Sequence, residues 1–369
     1  MNISFVLAVY NKLDLTKDCY DYLRRVYPTA PLVISSGGSS DGTKEWLESL
    51  DDENLSFIHD DDRLTFSETY NAGIKLVDTE KLVLIHNDMV IGDGFLEALE
   101  RLLQPNMVLS YTTVEPPIFK GHQRPGKVLL DLGSGFGDFD HYNFNSFVTK
   151  WNKDDKLYDG AVFFMSGYKK MFEDVGMFDG FSFVPCFCED DDFLVRAKLK
   201  GYDLKTCSSA ITYHFVSQTS RFSNDYKDNR TQYEIASNRN FVRKWGIPFK
   251  SFNEIRYWED KDFKYKTFSM GLRSRNPNVR LMEIEPFFDK IDLKDVPSDY
   301  IEKEQKNTRY DLRSKFMHTD DVDVVIYEVK PFDNDDVYTL HKLRLSIPYY
   351  EPGEYEIGNM KIVIKKGLN

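Results

Sequence analysis

Four times between residues 3 and 88, a short β-branched or aliphatic run ends in polar residues, and helical spacing of the apolar positions fills the gaps. The runs are ISFVLAV (3–9), PLVISS (31–36), LSFIH (55–59) and KLVLIHND (81–88). After the first run, Leu15, Cys19, Tyr22, Leu23 and Val26 fall on one face of a helix that Pro28 ends. Further helical stretches fit roughly 42–50 and 67–78. This alternation predicts βα units on a mostly parallel sheet. Ligands of such sheets settle beyond the carboxyl ends of the strands. The residues to weigh there are Tyr10 and Asn11, Ser36 to Asp41, Asp60 to Asp62, and Asn87 with Asp88.

Further along the chain, Pro116, Pro117, Pro125 and the glycines of GSGFG (133–137) predict a long loop region over 114–156. GSGFG has no preceding strand or following amphipathic helix, so it reads as plain loop rather than as a phosphate cradle. LYDGAVFFMS (157–166) and CSSAITYHF (207–215) read as strands, and DFLVRAKLKGY (192–202) as a helix stopped by Gly201. From about residue 249 the βα rhythm is lost, and 321–330, 338–348 and 360–366 read as strands of a partly β region. The expected organisation is an α/β, Rossmann-like domain over 1–248 and a C-terminal α+β extension over 249–369.

The chain has 369 residues, of which 41% are hydrophobic and 29% charged, as in a soluble globular protein. No run approaches the ~18 apolar residues of a membrane span, and MNISFVLAVYNK reads as a first core strand rather than a signal peptide. Cys19, Cys186, Cys188 and Cys207 lack disulfide-framework or zinc spacing, which predicts free thiols and a cytoplasmic location. The net charge of −12 is uneven: residues 221–280 hold 14 Lys or Arg against 7 Asp or Glu, interleaved with aromatics that include Trp258. That segment reads either as a helical region with solvated cations or as a polyanion groove, with Arg273, Arg275 and Arg280 as its densest part.

Two features carry chemistry. Glu189 to Asp192 place four carboxylates before a helix, directly after the apolar run FVPCFC. Like charges packed beside apolar walls raise at least one pKa, which suits a general base. Asp88 ends a buried strand and needs a cationic partner. With His214, at the end of another strand, it forms a candidate Mn or Mg site.

These residues resemble the inverting family 2 glycosyltransferases of the GT-A fold over about residues 3–246. The matching stretches are SFVLAVYN, VISSGGSSDGT, FSETYNAGI, LIHNDMVIGDGFLEAL and GMFDGFSFVPCFCEDDDFLVRAKLKGY. The resemblance implies a nucleoside-diphosphate-sugar donor, with a UDP-sugar as the expected case. It further implies that Asp88 binds the metal with the donor diphosphate, that His214 completes the metal site, and that Asp190 is the base, with Glu189 and Asp192 positioning hydroxyls. Ala8, Tyr10, Asn11, Ser36, Asn87 and the turn from Asn71 to Gly73 are expected around the donor.

The family's usual pair of aspartates is replaced here by Ser36 and Gly37. The nucleobase is therefore expected against Ser36, backbone groups and Asp61. The acceptor implied is a glycan, glycolipid or glycoprotein. Hydroxymethylated DNA, modified as by similar bacteriophage enzymes and held by Arg273, Arg275, Arg280 and Trp258, is the alternative. An inactive sugar-nucleotide-binding protein is the alternative of another class.

Overall fold

The structure is a computed structural model that describes residues 2–118, 124–151, 154–216, 230–248 and 267–368. The chain forms two compact units, Met1–Gly180 with Glu189–Thr231, and Phe181–Cys188 with Gln232–Asn369.

The first unit begins with β1 (Ile3–Val9), α1 (Leu13–Val26), β2 (Leu32–Gly37), α2 (Thr43–Glu48), β3 (Leu55–Asp60), α3 (Phe66–Leu76) and β4 (Lys81–Ile85). It continues through β5 (Met89–Ile91), α4 (Phe95–Leu102), β6 (Met107–Glu115), β7 (Lys127–Leu129), α5 (His141–Trp151) and β8 (Leu157–Asp159). β9 (Met165–Tyr168), α6 (Lys169–Val175), α7 (Glu189–Leu199) and β10 (Asp203–His214) complete it. The sheet order is β3-β2-β1-β4-β9-β6-β10-β5, with β7 on β6 and β8 on β10. The βα rhythm makes β3, β2, β1 and β4 parallel neighbours, whereas β9 runs antiparallel to both β4 and β6. This is a mixed, mostly parallel sheet with flanking helices, the α/β organisation expected.

Alternation along β1 explains the two layers. Phe5 and Leu7 face a core shared with Tyr22 and Leu23 of α1 and with Phe95 and Leu99 of α4. Val6 faces the other way, to Tyr70 and Ile74 of α3, Phe172 of α6 and Phe193 of α7. Gly73 is what lets α3 approach so closely. A Cβ there would lie 2.9 Å from Val6 Cγ1 and 3.3 Å from Ser35 Cβ.

The stretch expected as a long loop over 114–156 is in part regular. It holds the end of β6, then β7, and then α5. Pro116 lies just past β6 and Pro125 just before β7, so the prolines bound the strands rather than exclude them. Only Phe144 and Val148 of α5 are buried, which leaves little periodicity to read. GSGFG is indeed loop, and the Asp138 carboxylate accepts the amides of Ser134 and Gly135. The run 157–166 divides into β8 and β9, with Gly160 between them at φ 99°.

In the second unit, α8 (Arg230–Trp245) precedes β11 (Met270–Arg273), β12 (Lys290–Asp292), α9 (Ser298–Glu304), β13 (Val324–Glu328), α10 (Asn334–Ser346), β14 (Gly353–Ile357) and β15 (Met360–Ile364). Its sheet order is β12-β11-β13-β15-β14. Strands appear within 321–330 and 360–366 as expected, but 338–348 is helical and not a strand. Asp333 and Asp336 form a capping box that starts α10. Leu340, Leu343 and Ile347 then bury one face at helical spacing.

Arg239 and Arg243 of α8 are not solvated. Arg243 donates to Glu285 and Glu304 at 2.6 Å each, and Arg239 reaches Glu304 at 2.8 Å. Lys315 also pairs with Glu285. Burial works to raise the Glu285 carboxyl, but Lys315 and Arg243 outweigh it and hold it well below the ordinary value of 4.5. Burial of Glu304 is likewise outweighed, by Arg239 and Arg243, and its carboxyl is lowered. The stability these carboxylates lend is fully present above their unfolded-state value and is lost as pH falls through the lowered one. We expect Glu285→Gln to cost roughly 3–5 kcal/mol, because it leaves buried cations uncompensated. Urea unfolding at pH 7 would check this cost. Thermal melts of the unchanged chain should show stability falling progressively below pH 4.5.

Candidate active site

The apolar strand β4 delivers His86, Asn87 and Asp88 at its carboxyl end, two residues apart for the two ionisable groups. The chain then turns directly into β5, which pairs antiparallel with β10 so that Met89 faces His214. The amide of Phe215 donates to the Asp88 carbonyl at 2.9 Å. Strand register thus sets His214 beside Asp88, with Nε2 3.3 Å from Asp88 Oδ1. His86 Nδ1 is 3.8 Å from the same oxygen. One ligand atom each from His86, Asp88 and His214 lies within 4.8 Å of the others. His86 stacks on Phe163 at 4.8 Å, and Phe164 meets His214 edge-on at 5.0 Å.

The electrostatics of the two imidazoles differ. Burial lowers His86 to about 4, against a smaller opposing effect of Asp88, so it is neutral and able to act as a ligand. Burial also works to lower His214, but Asp88 and Glu115 outweigh it and raise that imidazole to about 9. Its proton supplies the positive charge that the buried carboxylates demand, at the place where a metal cation would serve equally. His86 Nε2 and both His214 nitrogens are buried without an aligned hydrogen bond among the described residues. Two imidazoles and a carboxylate, with ring nitrogens still to satisfy, fit a divalent transition ion such as Mn2+. His86 is not among the candidates drawn from sequence. The spacing His-x-Asp at a strand end is the signal that points to it.

At the neighbouring strand ends a hydrogen-bonded chain links β1, β2 and β3. The Asn11 amide donates to Ser39 Oγ at 2.9 Å, Ser36 Oγ donates to Ser39 Oγ at 2.9 Å, and His59 Nδ1 lies 3.1 Å from Ser36 Oγ. Asn11 Oδ1 accepts the Ser40 amide while its backbone sits in the left-handed region at φ 51°, which asparagine tolerates. Asp41 accepts the Leu13 amide at the start of α1. Ala8 lies within β1 opposite Ser35, and the Arg63 guanidinium covers the Tyr10 ring at 4.6 Å. Asp61 is exposed, pairs with Lys44 at 3.1 Å and stands 3.5 Å from His59 Nε2. The buried group beside Ser36 is therefore His59, which no sequence pattern singles out.

Asn71 and Gly73 lie inside α3 rather than in a turn. Asn71 Nδ2 donates to the Phe178 carbonyl at 2.7 Å and its Oδ1 accepts the Phe178 amide at 2.9 Å. Both ends of this side chain are taken up by backbone. Buried Asn87 donates to Thr16 Oγ1 at 3.0 Å.

The four carboxylates Glu189 to Asp192 form the first turn of α7, where the helix dipole favours negative charge. Phe193 locks the helix to the sheet by stacking on Phe172 at 5.2 Å. Asp192 is fully buried and receives Arg196 Nε at 2.9 Å and Nη2 at 2.8 Å. Arg196 also donates to the Val175 carbonyl at 2.7 Å, so this pair anchors α7. Burial raises the Asp190 carboxyl above its ordinary value of 3.8, against the backbone amides of the helix turn.

The basic residues considered for the acceptor lie in the second unit. Arg273 pairs with Asp320 and lies 3.7 Å from Asp292, Arg275 meets Asp292 at 3.2 Å, and Arg280 pairs with Glu283. Trp258 falls outside the described residues.

A mixed α/β sheet thus carries, at its strand ends, a cluster that could hold a metal and a helix that starts on four carboxylates. Residues 4–176 match the model of glycosyl transferase family 2. That region is a little under half of the chain, and it likens the chain to the glycosyltransferases of that family. No curated protein matches the sequence. Among solved structures, the mannosyltransferase PcManGT from Pyrobaculum calidifontis, in complex with GDP-Man and Mn2+, shares 18% identity over 70% of this chain and 68% of its own, at a TM-score of 0.45. GalNAc-T7 with UDP, GalNAc and Mn2+ shares 10% identity over 70% of this chain and 53% of its own, at 0.46. Among the described residues no helix is long and apolar enough to cross a membrane.

The two hydrogen bonds of Asn71 make a scaffold test. Asn71→Ala should destabilise the protein by about 1–3 kcal/mol, since a buried backbone pair loses its partner. Donor affinity of the folded variant should stay unchanged, and calorimetric titration alongside a denaturant melt would measure both.

Proposed function

We propose that this chain is a metal-dependent, inverting glycosyltransferase that moves a sugar from a nucleoside-diphosphate sugar, expected to be a UDP-sugar, to a hydroxyl of a glycan, glycolipid or glycoprotein. The observation that carries this reading is the cluster of His86, Asp88 and His214 at the carboxyl ends of β4 and β10 in a family 2 domain. These three residues would hold Mn2+ or Mg2+, which when bound supplies positive charge against the leaving diphosphate. The two imidazoles favour Mn2+, since Mg2+ prefers oxygen ligands.

Asp190 is the base of this reading. Its raised proton affinity suits it to take the acceptor hydroxyl proton as that oxygen attacks the anomeric carbon from the face opposite the diphosphate. Asp192 is held by Arg196 and orients the helix that presents Asp190, with Glu189 beside it. Tyr10, Asn11, Ser36 and His59 form the wall for the donor nucleoside, with Asp61 one imidazole further out. A neutral wall of this kind is a weaker acceptor for a base N–H than a carboxylate. A nucleic-acid acceptor draws no support from Arg273, Arg275 and Arg280, whose charges are met by carboxylates.

The test is release of nucleoside diphosphate from a panel of UDP-, GDP-, CDP- and dTDP-sugars, with Mn2+ and with chelator. Turnover that requires Mn2+ is expected, and its absence for every donor would overturn the reading. Asp190→Asn should lower kcat about 10²- to 10⁴-fold with donor binding retained. Because the base acts deprotonated, the acid limb of kcat/KM should lie above the ordinary aspartate value of 3.8.

A further inference from the structure

Glu115 ends β6, the strand that runs parallel to β10 with Val114 opposite Tyr213. The next residue on each strand is Glu115 on one and His214 on the other. Glu115 is buried, at 6% exposure, and its Oε1 lies 3.7 Å from His214 Nδ1, the ring nitrogen turned away from Asp88. It is not one of the three residues that converge as ligands. The carboxylate is fixed from three directions. Thr113 Oγ1 donates to Oε1 at 2.9 Å, Arg124 Nη2 reaches Oε1 at 3.2 Å, and Lys127 Nζ is 3.1 Å from Oε2. Arg124 also donates to Thr113 Oγ1 at 2.8 Å and lies over the Phe164 ring, which in turn packs against His214.

An imidazole that ligates a metal through one nitrogen must be held by the other, or the ring is free to rotate and to change tautomer. Here one nitrogen of His214 faces Asp88 and the other faces a carboxylate that cannot move. We propose that Glu115 is the positioning residue of the metal site. Its carboxylate, 3.7 Å from Nδ1 of His214, is the group placed to take the Nδ1 proton and so to present Nε2 as the ligand atom, while Arg124 and Lys127 hold the carboxylate in place. The proposal rests on the metal-site reading of His86, Asp88 and His214.

The test is direct metal binding by the full chain without donor. Mn2+ affinity is read from the EPR signal of the free ion, and ligand geometry from the visible absorption of the Co2+-loaded protein. Glu115→Gln should weaken Mn2+ binding 10- to 100-fold and alter the Co2+ spectrum, while His214→Ala marks full loss of the ligand. If Glu115→Gln lowers only the melting temperature of the metal-free protein, with Mn2+ affinity and Co2+ spectrum unchanged, Glu115 is a structural partner of Arg124 and Lys127 and the proposal is overturned. Should that variant not fold, Glu115→Asp keeps the charge but withdraws it by one methylene. Weaker Mn2+ binding with an altered Co2+ spectrum in Glu115→Asp then supports the proposal, and no change in either overturns it. If the unchanged chain binds neither Mn2+ nor Co2+, the metal-site reading falls and the proposal falls with it. Binding by the unchanged chain, loss in His214→Ala and no change in Glu115→Gln would overturn the Glu115 proposal alone.

Discussion

Three residues of antiparallel pairing between β5 and β10 decide the chemistry of this protein. Asp88 and His214 are 126 positions apart in the chain, yet the pairing of Met89 with His214 leaves them no choice but to be neighbours. Side chains alternate across a strand, so a slip of one residue would turn His214 to the opposite face. Register is therefore as much a part of the site as the ligands. It is protected by burial, since every residue of β5 and nearly all of β10 lies in the core.

The same physical bargain recurs in both units. Burying a carboxylate is costly unless cations and donors surround it. In the first unit Glu115 is met by His214, Arg124 and Lys127, and these outweigh its burial to hold the carboxyl at about 2. In the second unit Glu285 and Glu304 are met by Arg239, Arg243 and Lys315. Among the described residues no such arrangement of cations acts on Asp190, and burial raises it. Two outcomes for one functional group follow from who stands beside it: lowered where cations surround it, raised where burial prevails.

What can be read in advance divides along the same line. The first four strands and their helices are legible because each is a complete local pattern, an apolar run followed by an amphipathic one. Asp88, Asp190 and His214 are legible as unusual residues at element ends, and the structure brings Asp88 and His214 together. Their roles are legible only through resemblance. His59 and Glu115 are not legible, because their meaning comes from partners on other strands. α10 passes for a strand because Leu343, Leu345 and Ile347 alternate with Arg344 and Ser346 until the cap formed by Asp333 and Asp336 is noticed. Asn71 misleads for the opposite reason. Its motif is recognisable, but its amide serves the backbone of Phe178.

The carboxylate partners of Arg273, Arg275 and Arg280 have an effect that reaches beyond the second unit. Each of these pairs is neutral as a whole, so the three cations form no patch of positive charge against the net charge of −12, which already counts them. Under the proposed function, a doubly negative diphosphate would approach against a repulsive field, and attraction would begin only within about one Debye length, ~8 Å in physiological salt, of the candidate metal site. Added salt shields the repulsion before it weakens the close contacts. Encounter with the donor should thus speed up with moderate ionic strength, the reverse of an enzyme that steers its anionic substrate from afar.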